Sequence, residues 1–189
     1  WPEDPCLYVK TLNHLRCFDS ISISEEDRSR TKMYVDNKAR RTLQSKSMDS
    51  WLVDLGTVVK VEELGEANIA RVSQLLNKTN QLNLSTRRLT AEQLKNWSGG
   101  VNCRTIACSV SDKFGDLGLT GIVSVEVKGD QAYLVDYILS CRVMGREVEA
   151  TLIYLAINLA NELLAKELHV LYLPTERNMP TLKVLKTSS

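Results

Sequence analysis

The sequence predicts an α+β domain in three layers: a mixed, largely antiparallel sheet flanked by helices, with a helical segment in front of it. Three observations carry this. First, residues 104–110, 119–127 and 131–139 are strand-like and are separated by two turn signals, DKFGDLG at 112–118 and Gly129-Asp130. Turns spaced about 8–12 residues apart are those of antiparallel neighbours. Second, Val148, Leu152, Leu155, Ala156, Leu159 and Leu163 recur at helical spacing between residues 145 and 166, which defines one buried helix face. Third, helical patterns at 66–76 and 91–97 precede the strands and supply further flanking helices.

Taken in order, residues 1–50 read as helical and polar. Pro2 and Pro5 punctuate the start, and Leu7, Val9, Leu12 and Leu15 are only loosely helical in spacing. Ser24 followed by Glu25, Glu26 and Asp27 marks a helix start, a cap with acids set against the dipole. The helix behind it carries Arg28, Arg30, Lys32, Lys38, Arg40 and Arg41 and few apolar residues, too little apolar surface for a core of its own. This basic run reads as a solvated face. Residues 48–56 form a short helix ended by Gly56 and docked by Trp51, Leu52 and Leu55. A boundary near here divides residues 1–50 from 51–189.

Residues 57–62 are β-branched and strand-like, and in the helix after them Ile69, Val72, Leu75 and Leu76 share a face. Residues 77–89, NKTNQLNLSTRRL, form a polar loop with two readings. It is a surface loop whose side chains bond its own backbone, or a substrate-facing loop in which Arg87 and Arg88 meet a phosphate or carboxylate. Thr90 and Gln93 are spaced as a capping box, and Gly99-Gly100 ends that helix. After the long helix, residues 169–173 (HVLYL) form a short strand, 174–178 a turn and 181–189 a terminal helix.

Composition narrows the function classes. The 189 residues carry a net charge of +1, so no strong field points to nucleic acid or anionic membranes. No apolar run approaches the roughly 18 residues a membrane span needs. The chain begins WPEDP, with neither an initiator Met nor a signal-peptide pattern, as expected of an excised or processed piece of a longer protein, while the odd, irregular cysteine count reads as a reducing, cytoplasmic setting. Five cysteines (Cys6, Cys17, Cys103, Cys108, Cys141) without a CxxC pair argue against a disulfide framework and against structural zinc. No metal is expected. The two histidines, His14 and His169, leave few candidates for a His-based apparatus, and His169 lies in a strand.

The chemistry is concentrated in VDYILSCRVMGREV, residues 135–148. An apolar strand ends at Ser140-Cys141-Arg142, a turn opens at Gly145, and the long helix follows. Cys141 is either a small buried residue or a nucleophile at a point where side chain, backbone N–H groups and a helix N-terminus meet. A thiol of pKa about 8.5 must ionise to act, and Arg142, Arg146 and the helix N-terminus favour the thiolate.

The element order β, α, loop, α, β, β, β, long α, β, α resembles the Gcn5-related N-acetyltransferase (GNAT) fold. That fold cradles a pyrophosphate at basic-x-x-Gly-x-Gly/Ala. Here Arg142 and Gly145 match, and Glu147 replaces the second small residue, with the wrong charge and size for a pyrophosphate. The stretches WPEDPCLYVKTL, FDSISISEEDRSRTKMY, LLNKTNQLNLSTRRLT, DKFGDLGLTGIVSV, LSCRVMGREVE and LPTERN resemble FkbH-like proteins of polyketide biosynthesis over nearly the whole chain. In that family a phosphatase-like domain of the haloacid dehalogenase (HAD) superfamily precedes a GNAT-like domain. The resemblance implies that residues 1–50 are the helical tail of the HAD-like domain and residues 51–189 the GNAT-like acyltransferase domain. The Asp-x-Asp-x-Thr motif of the phosphatase is absent, so no phosphatase activity is expected. The end TLKVLKTSS and Leu171, where an acid is expected, depart from the family.

The resemblance further implies a glyceryl unit taken from 1,3-bisphosphoglycerate, held on Cys141 as a thioester and passed to the phosphopantetheine of an acyl carrier protein. In that scheme Asp136, Thr175 and Asn178 orient the thiol or its proton acceptor. Asn80, Asn83 and Thr86 bond the glyceryl hydroxyls, Arg87 and Arg88 hold a phosphate, and Arg142, Gly145 and Arg146 complete the binding turn. Two other readings stay open: a coenzyme A-dependent N-acetyltransferase that does not use Cys141, and a non-catalytic carrier-docking module.

Overall fold

In the computed structural model the described residues are 1–16 and 48–187, together with 35, 36, 38 and 40. The expected helix start at Ser24, the basic residues Arg28, Arg30, Lys32 and Arg41, and Cys17 lie outside them. The chain divides into two compact units, Trp1–Thr42 and Leu43–Ser189. In the first, a 3-10 turn Pro5–Leu7, capped by the Asp4 carboxylate accepting from the Cys6 N–H, leads into α1, Tyr8–Leu15. Its Val9, Leu12 and Leu15 are exposed.

The second unit is a six-stranded mixed sheet between helices, the architecture expected from the turn spacing and the long helix. Its elements are α2 (Met48–Leu55), β1 (Val58–Glu63), α3 (Ile69–Lys78), β2 (Leu82–Asn83), α4 (Ala91–Ser98), β3 (Cys103–Asp112), β4 (Gly115–Lys128), β5 (Gln131–Leu139), α5 (Val148–Glu162), β6 (Glu167–Val170) and α6 (Met179–Thr187). The sheet runs β1-β3-β4-β5-β2, with β6 also on β5, and β5–β6 is the parallel pair. One face lies under α5, where Val148, Leu152, Ala156 and Leu159 pack on Cys108, Val123, Val125, Leu134 and Tyr137. The other lies under α3 and α4, where Val72, Leu75, Leu76 and Leu94 pack on Ala107, Ile122 and Ile138. Among the described residues no helix is long and apolar enough to cross a membrane.

Local signals held where they were local. Gly56 ends α2 at φ 59°, and the Thr90/Gln93 capping box starts α4 with both of its hydrogen bonds. Other boundaries are corrected. The long helix starts at Val148, not Gly145, because a 3-10 turn (Cys141–Val143) and positive φ at Gly145 and Glu147 delay it. The expected turn 112–118 shrinks to Lys113 and Phe114, with Asp112 ending β3 and residues 115–118 opening β4. The strand expected at 169–173 runs from Glu167 to Val170.

The polar loop 77–89 holds the largest surprise. Leu82 and Leu84 are fully buried, and β2 pairs with the end of β5, Leu82 opposite Leu139 and Asn83 opposite Ile138. β6 pairs only with the start of β5. Beyond β6 the chain parts from β5, and residues 82–84 fill the gap: Leu84 N–H donates to Tyr137 O and Leu84 O accepts from Leu173 N–H.

β5 also carries a bulge. Ser124 pairs with Asp136 but Val125 with Leu134, so Val135 is passed over. The extra residue flips the alternation. Leu134 and Tyr137 therefore both face α5, and Asp136 joins Ile138 on the opposite face.

Gly121 sets the close approach of α5 to the sheet. A Cβ there would stand 3.2 Å from both Cys108 Cβ and Leu152 Cδ2. Gly121→Val is expected to lower unfolding stability by about 1–3 kcal/mol through overpacking. Urea denaturation checks this, and an unchanged midpoint would refute the packing assignment.

Candidate active site

β5 delivers Ser140 and Cys141 at its end. Ser140 is nearly buried and fixed, its N–H on Thr120 O at 2.7 Å and its hydroxyl accepting from Arg142 Nε at 3.1 Å. Cys141, the first residue of the 3-10 turn, is exposed. Arg142 is half-buried against Ser140, whereas Arg146 is buried in an ion pair with Asp112 on the β3–β4 turn, Nη1 to Oδ2 at 3.0 Å. Arg146 thus secures the turn to the sheet rather than presenting its charge beside the thiol.

The glycine turn is also occupied from within. The Gly145 N–H donates to Glu149 Oε1 at 2.6 Å, and Glu147 stands at φ 60° just before the helix. A helix N-terminus favours negative charge. Here Glu149, with Glu147 nearby in sequence, supplies it, and the Gly145 N–H is engaged before any pyrophosphate arrives. The turn as it stands does not fit that group.

Asp136 and Arg87 likewise meet each other. The fully buried Asp136 carboxylate takes Arg87 in a two-pronged pair, Nε to Oδ1 at 3.2 Å and Nη2 to Oδ2, and the guanidinium lies 4.2 Å over the Trp97 ring. A buried carboxylate needs such a partner. Ser124 and Thr105 continue the polar row across the sheet, with Thr105 Oγ1 donating to Ser124 Oγ at 3.1 Å. Asp136 is therefore held by an arginine under α4, on the sheet face away from α5.

Four of the sequence-derived candidates do share a place. Asn80, Thr86, Arg88 and Thr175, with Glu176 and Arg177, line an open cleft of about 450 Å³. Cys141 is not among its lining residues. Asn80 and Cys141 nevertheless lie two residues beyond the last β2–β5 couple, Leu82 and Leu139, at the same end of that pair. Asn83 and Asn178 form the frame and are fully buried. Asn83 Nδ2 donates to Thr79 O at 3.0 Å, and its Oδ1 accepts from the Thr86 N–H at 2.8 Å. Asn178 Nδ2 donates to Asn83 O at 3.0 Å and Leu173 O at 2.8 Å, and its Oδ1 accepts from Thr175 N–H at 2.8 Å and Tyr172 O–H at 3.0 Å. Thr86 sits at φ 52°, a left-handed conformation that costs a β-branched residue energy and that surrounding bonds must impose. Arg88 closes the end of α3, donating to Leu76 O, to Thr79 O at 3.2 Å and to Asn80 Oδ1 at 2.6 Å.

Glu176, Arg177 and Trp97 were not singled out from the sequence. Arg177 stands in the LPTERN turn, where a basic residue beside Thr175 was the available signal. The Ser85 and Thr120 hydroxyls are buried without a hydrogen-bond partner among the described residues, beside Thr86 and before Gly121 respectively. His169 stacks on Tyr133 at 5.3 Å and meets Glu167, away from these groups. Among the described residues no cluster of His, Cys, Asp or Glu is arranged to hold a metal ion.

No protein-family model matches the chain, and no curated protein matches it. Solved structures do. The GNAT domain of S. lividans PAT is 14% identical at a TM-score of 0.54, covering 69% of this chain and 80% of that one. AAC(6')-Iy, in complex with the bisubstrate analogue CoA-S-monomethyl-acetylneamine, is 10% identical at a TM-score of 0.54, covering 70% and 90%. A GNAT-family acetyltransferase from Streptococcus pneumoniae is 15% identical at a TM-score of 0.51, covering 69% and 83%. The second unit has the GNAT fold.

Burial separates the cysteines. It pushes the Cys108 thiol up to about 12 and raises Cys103 as well, whereas Cys141 is exposed. The unfolded Cys108 thiol ionises near 9.0 and the folded one near 12, so its contribution to stability is intact below 9 and falls as pH rises between them. Iodoacetamide at mildly alkaline pH is expected to alkylate Cys141 in the native protein and to spare Cys108 until denaturant is added. Peptide mass mapping checks this, and equal labelling of the two would refute the burial assignment.

Proposed function

We propose that this domain is an acyltransferase. The observation that carries the proposal is the fold it shares with the GNAT acetyltransferases, whose sheet and long helix place a strand end, a turn and a helix N-terminus together. Those neighbours favour a coenzyme A-dependent transfer over any other donor. The contact of Glu149 with the Gly145 N–H stands against it, since that carboxylate must leave before an anion reaches the turn.

A second reading is favoured by the exposure of Cys141 at the end of β5 and by the resemblance of its SCRVMGREVE surroundings to FkbH-like proteins. Here the Cys141 thiolate attacks the acyl-phosphate carbonyl of 1,3-bisphosphoglycerate. The C–S bond forms, the bond from carbonyl carbon to phosphate oxygen breaks, and inorganic phosphate leaves. The phosphopantetheine thiol of an acyl carrier protein then attacks the thioester, takes the acyl group and returns the proton to Cys141.

Intact-mass measurement separates the readings. With 1,3-bisphosphoglycerate, the Cys141 reading expects an acyl adduct on the wild type and none on Cys141→Ala. An adduct that persists in Cys141→Ala overturns the Cys141 reading, and no adduct while acetyl-CoA acetylates an amine acceptor decides for the coenzyme A reading. Carrier binding with neither activity decides for a docking module.

Calorimetry adds an independent check on the turn. Glu149→Ala frees the Gly145 N–H and removes a like charge, so acetyl-CoA affinity is expected to rise by about 5-fold or more. Unchanged affinity would show that coenzyme A does not use this turn.

A further inference from the structure

The cleft between the α3–α4 connection and the turn after β6 has an electrostatic character that the sequence did not reveal. Two arginines line it, and neither is neutralised there by a described carboxylate. Arg88 gives its N–H groups to uncharged acceptors, the carbonyls of Leu76 and Thr79 and the Asn80 amide oxygen, so it is rigidly placed while its charge remains. Arg177 is exposed, and among the described residues its guanidinium makes no hydrogen bond or ion pair. The adjacent Arg87, by contrast, is spent on Asp136. Around the two charges stand small polar groups, the Thr86 and Thr175 hydroxyls and the Asn80 amide, with Glu176 as the one acid.

The walls are fixed before any ligand arrives. Asn178 ties the β6 turn to Asn83 by a buried bond, Leu173 N–H bonds Leu84 O, and Thr181 Oγ1 bonds Gln81 O at 3.1 Å, so both sides of the cleft are stapled together. Such a preformed site loses little on ordering when it binds.

We propose that this cleft is a phosphate-monoester site in which Arg177 is the principal anion ligand and Arg88 a fixed second charge. The hydroxyl and amide groups favour a small, hydroxylated phosphate ester. The same chemistry is presented by a phosphorylated three-carbon acid and by a phosphopantetheine arm. The inference deepens the acyltransferase reading by assigning the anchor of one of its substrates. It differs from the sequence-based expectation by giving that role to Arg177 in place of Arg87.

Calorimetric titration of the full chain with 3-phosphoglycerate, with 4'-phosphopantetheine and with unphosphorylated glycerate tests it. One phosphorylated ligand is expected to bind and glycerate not to. Which of the two binds identifies the source of the phosphate. Arg177→Gln is expected to weaken that binding by about 10-fold or more, as loss of a charge-assisted hydrogen bond does. Glu176→Gln is expected to tighten it, because a like charge is removed. Equal affinity of Arg177→Gln and wild type, or binding of neither phosphorylated ligand, would overturn the proposal. The readout needs no turnover. Failure of the Cys141 adduct therefore leaves a positive titration standing, and a failed titration leaves the adduct result untouched.

Discussion

The side-chain amide of Asn178 is the contact on which the candidate site depends. A primary amide offers two N–H donors and two acceptor lone pairs, and all four are used here, on Asn83, Leu173, Thr175 and Tyr172. These bonds do three things at once. They close the turn that displays Thr175 and Arg177, they hold the chain away from β5 after β6, and they fix β2 in the gap that results. Each orphaned buried group would cost about 1–3 kcal/mol, so no smaller side chain replaces this one without loosening all three segments.

The β2 insertion follows from the same divergence. A parallel pair such as β5–β6 leaves open edges where its strands part, and an unpaired edge on a buried sheet is costly. Residues 82–84 supply the missing partners, and Leu82 and Leu84 supply apolar contacts below them. An extended ligand has no free backbone edge to pair with at the paired end of β5. What the fold offers instead is the cleft formed where the inserted segment turns outward, at Asn80 on one side and Thr86 on the other.

How much of this was legible depended on the range of the forces involved. The capping box at Thr90, the Gly56 stop and the buried face of α5 follow from neighbours within a few residues, and each was readable. β2 was not, because two leucines among Asn, Gln, Thr and Arg give no period, and only pairing with β5 makes them a strand. Nor was the bulge at Val135, which turns Asp136 to the face opposite Leu134 and toward Arg87. The arginine pair shows the limit best. Arg87 and Arg88 are chemically identical in the sequence, yet one neutralises a buried carboxylate and the other caps a helix. Asn80, Thr86 and Arg88 were identified by type as binding groups and Thr175 as a group orienting the thiol, but their convergence with Glu176 and Arg177 required the staple at Asn178.

The glycine turn shows how a shared fold and a shared ligand come apart. A helix N-terminus with free N–H groups draws an anion. In this chain Glu149 folds back onto the Gly145 N–H and Glu147 occupies the left-handed position at the helix start, so two carboxylates stand where an incoming diphosphate would find attraction in a turn lined by small residues. The cation beside them, Arg146, is bound to Asp112. Positive charge not matched by a described carboxylate lies instead across β2, at Arg88 and Arg177. The exposed thiol and the arginine charge are thus carried by different segments of the chain. The strand end presents a thiol beside a self-neutralised turn, and the cleft presents the charge.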